Sequence, residues 1–157
     1  MKKMSLTALF ISSLALSGQA IADNFMITKE KQPSRMLVLS SAGGLSTTEF
    51  SVLNVDLSDI PYGNKTGTIT GVSYTSAGYA DPGNETVELC FSRAYSTTPF
   101  KCIEINPNDS GNTTTFNGEA FKAGISASIV HRVEATGNFH YAEPSRKESI
   151  TFHYSTY

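Results

Sequence analysis

The sequence predicts an all-β protein: a small antiparallel β-sandwich of about seven to nine strands with one disulfide-tied hairpin. Three observations carry that expectation. Thr, Val, Ile, Tyr and Phe gather in short runs that Gly, Asn, Pro and Ser separate. No window of about a dozen residues holds a 3.6-residue apolar period closed by helix caps. The two cysteines, Cys90 and Cys102, each sit inside an alternating run, as expected for facing strands.

The N-terminus reads as a leader to be removed before folding is considered. Lys2 and Lys3 form a positive start, Leu6 to Leu16 an apolar stretch, and Ala20-Ile21-Ala22 a small-residue cleavage pattern. The apolar stretch is about half the roughly 20 residues that a spanning helix needs. The reading is therefore a cleaved signal peptide over 1–22 and a single domain over 23–157, long enough to bury a core. The short Met-Lys-Lys start looks bacterial, which places the mature chain in the periplasm or beyond. Loss of Lys2 and Lys3 takes the basic count from 12 to 10 against 14 acidic residues, so the mature domain carries −4. That balance leaves no electrostatic footprint for nucleic acid or an anionic membrane. No second apolar run approaches spanning length.

Met36 to Ser40 is a compact apolar run, broken by Gly43-Gly44. Phe50 to Leu57 alternates, with Leu53, Val55 and Leu57 as its cleaner core face. Ile60 to Asn64 is a turn cluster, and Thr68 to Tyr74 resumes a strand. Asp81-Pro82-Gly83 is a turn, because Pro fixes φ and Gly accepts positive φ. Thr86 to Ser92 and Phe100 to Ile105 are strands, Asn106 to Thr113 a polar loop, and Thr114 to Phe121 ambiguous. Ser126 to Glu134 is a strand, Thr136 to Ser145 a long loop or irregular hairpin, and Glu148 to Tyr154 the closing strand. In the last, Ile150, Phe152 and Tyr154 share one face.

In the two cysteine-bearing strands, Val87, Leu89, Phe91, Ile103 and Ile105 lie on one face, with Cys90 and Cys102 on the other. Pairing Cys90 with Cys102 in an antiparallel hairpin keeps both faces consistent and brings the Cβ atoms within bridging reach. An even cysteine count in an exported chain reads as a disulfide. It encloses 11 residues, Phe91 to Lys101, and such a link contributes on the order of 3 kcal/mol.

Chemistry is sparse. His131, His140 and His153 lack metal-ligand spacing, and His131 falls in phase with Ile129 and Val133 as a hydrogen-bonded strand residue. No Gly-x-Ser-x-Gly elbow is present, though a Ser/His/Asp set is defined in space rather than in sequence. Glu85 and Glu88 read as solvated positions. The expectation is a protein that is not an enzyme, with no catalytic residue, metal site or cofactor. Among the aromatics, Tyr95 in the Cys loop and Phe139 with Tyr141 in the late loop are the candidate partner contacts.

From Gly67 onward the order of motifs resembles the flagellar FlhE family. The carrying residues are Gly67-Thr68-Ile69-Thr70 with Val72 and Tyr74; Pro82-Gly83 before Val87 to Cys90; Cys102 to Ile105; Ser110-Gly111 leading to Thr115 to Gly118; and Pro144 before Ile150 to Tyr154. The resemblance implies a periplasmic accessory protein of flagellar biogenesis, acting by contact with an envelope or flagellar-system protein. It supplies no catalytic residues. The Cys loop departs from that pattern, with Ala94 to Thr98 as an insertion. The competing reading is a fimbrial or adhesin-type subunit, or a surface-binding module. Donor-strand assembly of that kind needs an alternating N-terminal extension, and Phe25 to Arg35 is short of alternation.

Overall fold

Two antiparallel sheets face each other in a computed structural model that describes residues 23–80 and 84–156. Residues 1–22, expected as a leader, residues 81–83, expected as a turn, and Tyr157 lie outside the described residues. Eleven strands occur among those described: β1 (Asn24–Lys31), β2 (Met36–Leu39), β3 (Gly43–Ser51), β4 (Gly67–Thr75), β5 (Glu85–Ser92), β6 (Lys101–Ile105), β7 (Ser110–Thr113), β8 (Ala120–Phe121), β9 (Ser126–Val133), β10 (His140–Ala142) and β11 (Glu148–Ser155). The first sheet runs β1-β11-β4-β7, with β8 also on β4, and the second runs β10-β2-β3-β9-β5-β6.

The alternation that predicted strands also decides which side chains meet between the sheets. Val87, Leu89 and Phe91 of β5 meet Ile150, Phe152 and Tyr154 of β11 in one buried cluster. Phe116 and Phe121, from the stretch whose sequence was ambiguous, complete it: Phe121 stacks on Tyr154 at 3.6 Å between ring centroids, and Phe116 on Phe91 at 5.5 Å. A smaller cluster of Met36, Val38, Tyr79, Val133 and Ala142 fills one end of the sandwich. The hairpin forms in the expected register, with Cys90 opposite Cys102 and the disulfide closed.

Four expectations are corrected. Phe50 and Val52, not Leu53 and Val55, point into the core, where both are fully buried. β3 starts at Gly43 and its strand ends at Ser51, after which Asn54–Leu57 coils into a 3-10 turn. Asp56 drives that change, because its carboxylate accepts the Leu53 N–H at 2.7 Å and takes the backbone away from the sheet ladder. Leu53 and Val55 are left exposed, and only Leu57 returns to the core.

Gly43 and Gly44 do not separate β2 from β3; they begin β3 and pair with Leu39 and Val38. Gly43 has φ +71°, and a Cβ there would run into the Val133 carbonyl, so the tight β2–β3 return needs glycine at this position. Phe25 to Arg35 contains a strand after all. In β1, Phe25, Ile27 and Lys29 point inward, and Lys29 keeps its charged head on Asp56. The polar stretch 106–113 ends in β7, which pairs with β4, and the late loop contains β10, which pairs with β2.

Candidate functional site

Three places bring chemistry-bearing side chains together. The first is buried. His131 on β9 projects between the sheets, with Glu85 from the start of β5 and Glu148 from the start of β11 on either side. His131 Nδ1 lies 2.7 Å from Glu85 Oε1, and Nε2 lies 2.6 Å from Glu148 Oε1. Two carboxylate oxygens at these distances suit a ring that carries hydrogen on both nitrogens, the imidazolium form. Burial by itself would lower the His131 pKa; hydrogen bonds to Glu148 and Glu85, with their charges, outweigh it and raise the pKa to about 9.

The carboxylates are held in turn by the segment leading out of β4. Ala77 N–H donates to Glu148 Oε1 at 3.1 Å, and Tyr79 N–H donates to Glu85 Oε2 at 3.0 Å. The Tyr79 ring meets His131 edge-on, and its hydroxyl donates to the Ser34 carbonyl at 2.6 Å with Ser46 Oγ 2.8 Å away. Burial raises the Tyr79 pKa, which the Ser46 hydrogen bond only partly offsets. His131 and Glu148 have no exposed surface and the Glu85 side chain is 9% exposed, so this cluster bolts one sheet to the other. Sequence reasoning placed His131 correctly as a bonded strand residue. It did not find the two carboxylates, and it read Glu85 as solvated.

The second place is on the outer face of the first sheet. Ser73 Oγ and His153 Nε2 are 2.7 Å apart, across β4 and β11, in a groove of about 540 Å³ lined also by Phe25, Met26 and Gly71. No carboxylate bonds His153 among the described residues, so the third member of a nucleophilic set is absent from this pair.

The third is an exposed apolar patch on the outer face of the second sheet. Phe139 and Tyr141 pack edge-to-face at 6.0 Å, and Arg35 sits 4.4 Å over the Tyr141 ring. Tyr141 pairs in register with Leu37. Leu37, Leu39 and Leu45 continue the patch across β2 and β3, all five apolar side chains being between 40% and 63% exposed. Arg132 closes its far side. Patches of this kind mark contact sites. Phe139 and Tyr141, expected from the sequence as partner contacts, lie in this patch, and the leucines beside them were not singled out. The available signal was Met36 to Leu39, apolar on both faces of a strand whose inner face alone needed to be.

Tyr95 does not join this patch. It follows β5 at the opposite end of the sandwich, next to Gly124, whose carbonyl accepts its N–H at 3.3 Å. It is 85% exposed and has φ 63°. Cys90 and Cys102 lie beneath that loop as its disulfide. Among the described residues, no three His, Cys, Asp or Glu side chains are grouped as metal ligands.

No family model matches the chain, and no curated protein matches it. Solved structures do. A crystal structure of FlhE aligns over 83% of this chain and 96% of its own, with TM-score 0.53 and 17% sequence identity. The chain has an FlhE-like fold. A desmodium yellow mottle tymovirus structure aligns over 92% of this chain with TM-score 0.41 and 12% identity.

Proposed function

We propose that this is an exported, non-enzymatic accessory protein of flagellar biogenesis that works by binding another protein of the envelope or flagellar system. The observation that carries the reading is the backbone likeness to FlhE over nearly all of that chain. The closed disulfide suits an oxidising compartment such as the periplasm. No helix among the described residues is long and apolar enough to cross a membrane. The patch of Leu37, Leu39, Leu45, Phe139 and Tyr141 gives the binding role a surface. The pairing of β11 on both sides, by β1 and β4, favours the accessory role over a fimbrial subunit that awaits a strand from its neighbour.

The test is deletion of the gene, scored by swimming and by flagellar assembly, followed by complementation. The deletion is expected to impair one or both, and the wild-type chain to restore them. Leu45→Asp and Tyr141→Asp should accumulate as folded, oxidised protein and yet fail to complement. Normal swimming and assembly in the deletion strain would reject the flagellar reading. Full complementation by both variants would reject the patch as the contact surface.

A further inference from the structure

The Cys loop, which spans Phe91 to Lys101, plays no part in the proposed function. It roofs a groove of about 320 Å³ on the outer face of the second sheet. The floor is three strands wide: Thr47 and Glu49 from β3, Ser126, Ser128 and Val130 from β9, and Ser92 from β5. Ser96, Thr97 and Pro99 of the loop form the overhang.

The loop is fixed rather than loose. Ser96 Oγ accepts the Thr98 N–H at 3.2 Å and donates to the Thr98 carbonyl at 3.0 Å. Phe100 N–H donates to the Phe91 carbonyl at 2.8 Å, which re-enters the hairpin beside the disulfide. A site that is already formed loses less entropy on binding than one that must be ordered.

Ser92 and Ser126 face each other in register, and each is only 8% exposed. Neither hydroxyl has a hydrogen-bond partner among the described residues, although both line the groove. Both residues line the groove, where a ligand can bond their hydroxyls.

The lining chemistry selects the partner. Serine and threonine hydroxyls both donate and accept, as sugar hydroxyls do. Glu49 is the only ionisable group in the lining; its Oε1 accepts from Ser51 at 2.9 Å, and it repels anions. Val130 and Pro99 supply apolar surface for the C–H face of a ring. The volume is at the small end of ligand sites, which run to roughly 300–1,000 Å³. We infer that the Cys-loop groove binds a short, uncharged saccharide through the hydroxyls of Ser92, Ser126 and Ser128 under the Ser96–Thr97 overhang.

The experiment is amide chemical-shift titration of the ¹⁵N-labelled chain, disulfide intact, with cellobiose, maltose and diacetylchitobiose, and with glucuronic acid as the anionic control. At least one neutral disaccharide should give saturable shifts centred on Ser92, Ser96, Thr97, Ser126 and Ser128. Glucuronic acid should not. The double variant Ser92→Ala/Ser126→Ala should weaken binding by about tenfold or more, from the loss of two hydrogen bonds of ordinary strength. Thr97→Trp, which changes only the exposed overhang, should abolish it by filling the groove. The inference is overturned by the absence of saturable shifts with all three disaccharides or by shifts centred elsewhere. It is equally overturned by unchanged affinity in both variants or by equal binding of glucuronic acid. None of these results depends on the flagellar reading, which stands or falls on swimming and assembly.

Discussion

Both ring nitrogens of His131 rest against carboxylate oxygens, so the bolt between the sheets is strongest when the imidazole carries two protons. Its folded pKa of about 9 lies above the 6.5 of a free imidazole. The folded state therefore binds this proton more tightly than the unfolded chain does. The resulting stability is fully present below about pH 6.5 and is lost as pH rises through about 9. A gap of that size corresponds to about 3 kcal/mol. Thermal or urea unfolding followed from pH 6 to pH 10 should show that loss, and His131→Gln should flatten the profile. A wild-type profile that is level over the range would mean that the histidine is neutral and the bolt uncharged. His131→Ala should be worse at every pH, costing about 3–5 kcal/mol, because it leaves two carboxylates facing each other without a cation. Asp56 behaves in the opposite sense on a smaller scale. Burial would raise its pKa, but the Lys29 hydrogen bond, the Leu53 N–H and the Lys29 charge hold it below the ordinary carboxylate value. Its contribution is present at neutral pH and fades on acidification through that lowered value. Asp56→Ala should cost about 1–2 kcal/mol at pH 7, the usual range for a lost cap with a partly buried ion pair, read as a shift in urea midpoint.

At the scale of the elements, the β5–β6 hairpin shows how a covalent link and a strand register depend on each other. Cys90 and Cys102 are directly opposite, with Cα atoms 4.0 Å apart. Mature protein should therefore release no thiol to a thiol reagent under denaturing, non-reducing conditions; two equivalents would refute the bond. Its reduction should lower stability by about 3 kcal/mol in the chain-entropy account, measured as the difference in urea midpoint with and without reductant. This hairpin was legible in the sequence because strand alternation and cysteine placement gave the same answer independently. The 3-10 turn at Asn54–Leu57 was not, because Leu53, Val55 and Leu57 keep a strand's chemical rhythm while one carboxylate on the Leu53 N–H redirects the backbone. β1 was obscured by Lys29, whose position on the inward face makes sense only once Asp56 is known to receive its ammonium at 2.7 Å. The Glu85–His131–Glu148 bolt was illegible for a related reason. Its partners are separated by 46 and 17 residues, and no local pattern marks a carboxylate that will be buried by a strand from the other sheet.

For the whole molecule, the decisive connection is the one that brings the first strand to the last. β1 pairs along its full length with β11, Asn24 opposite Ser155 and Lys31 opposite Glu148. β11 in turn carries Ile150, Phe152 and Tyr154 into the core and Glu148 into the bolt. β1 is thus an edge strand whose removal would turn β11 into an uncovered edge, while stripping the Phe25 ring from Tyr154 and Lys29 from Asp56. An unpaired strand with an alternating apolar face is a template for pairing between chains. A chain lacking residues 24–31 should therefore run as larger species than the intact protein in size-exclusion chromatography with light scattering. A synthetic peptide of the sequence Asn24 to Lys31, added during refolding, should return it to the size of the intact chain, because the peptide can occupy the same edge through the same ladder. If the shortened chain keeps the intact protein's size and melting temperature, β1 is a passenger on the sheet, and β11 is held in place by the core and the His131 bolt alone.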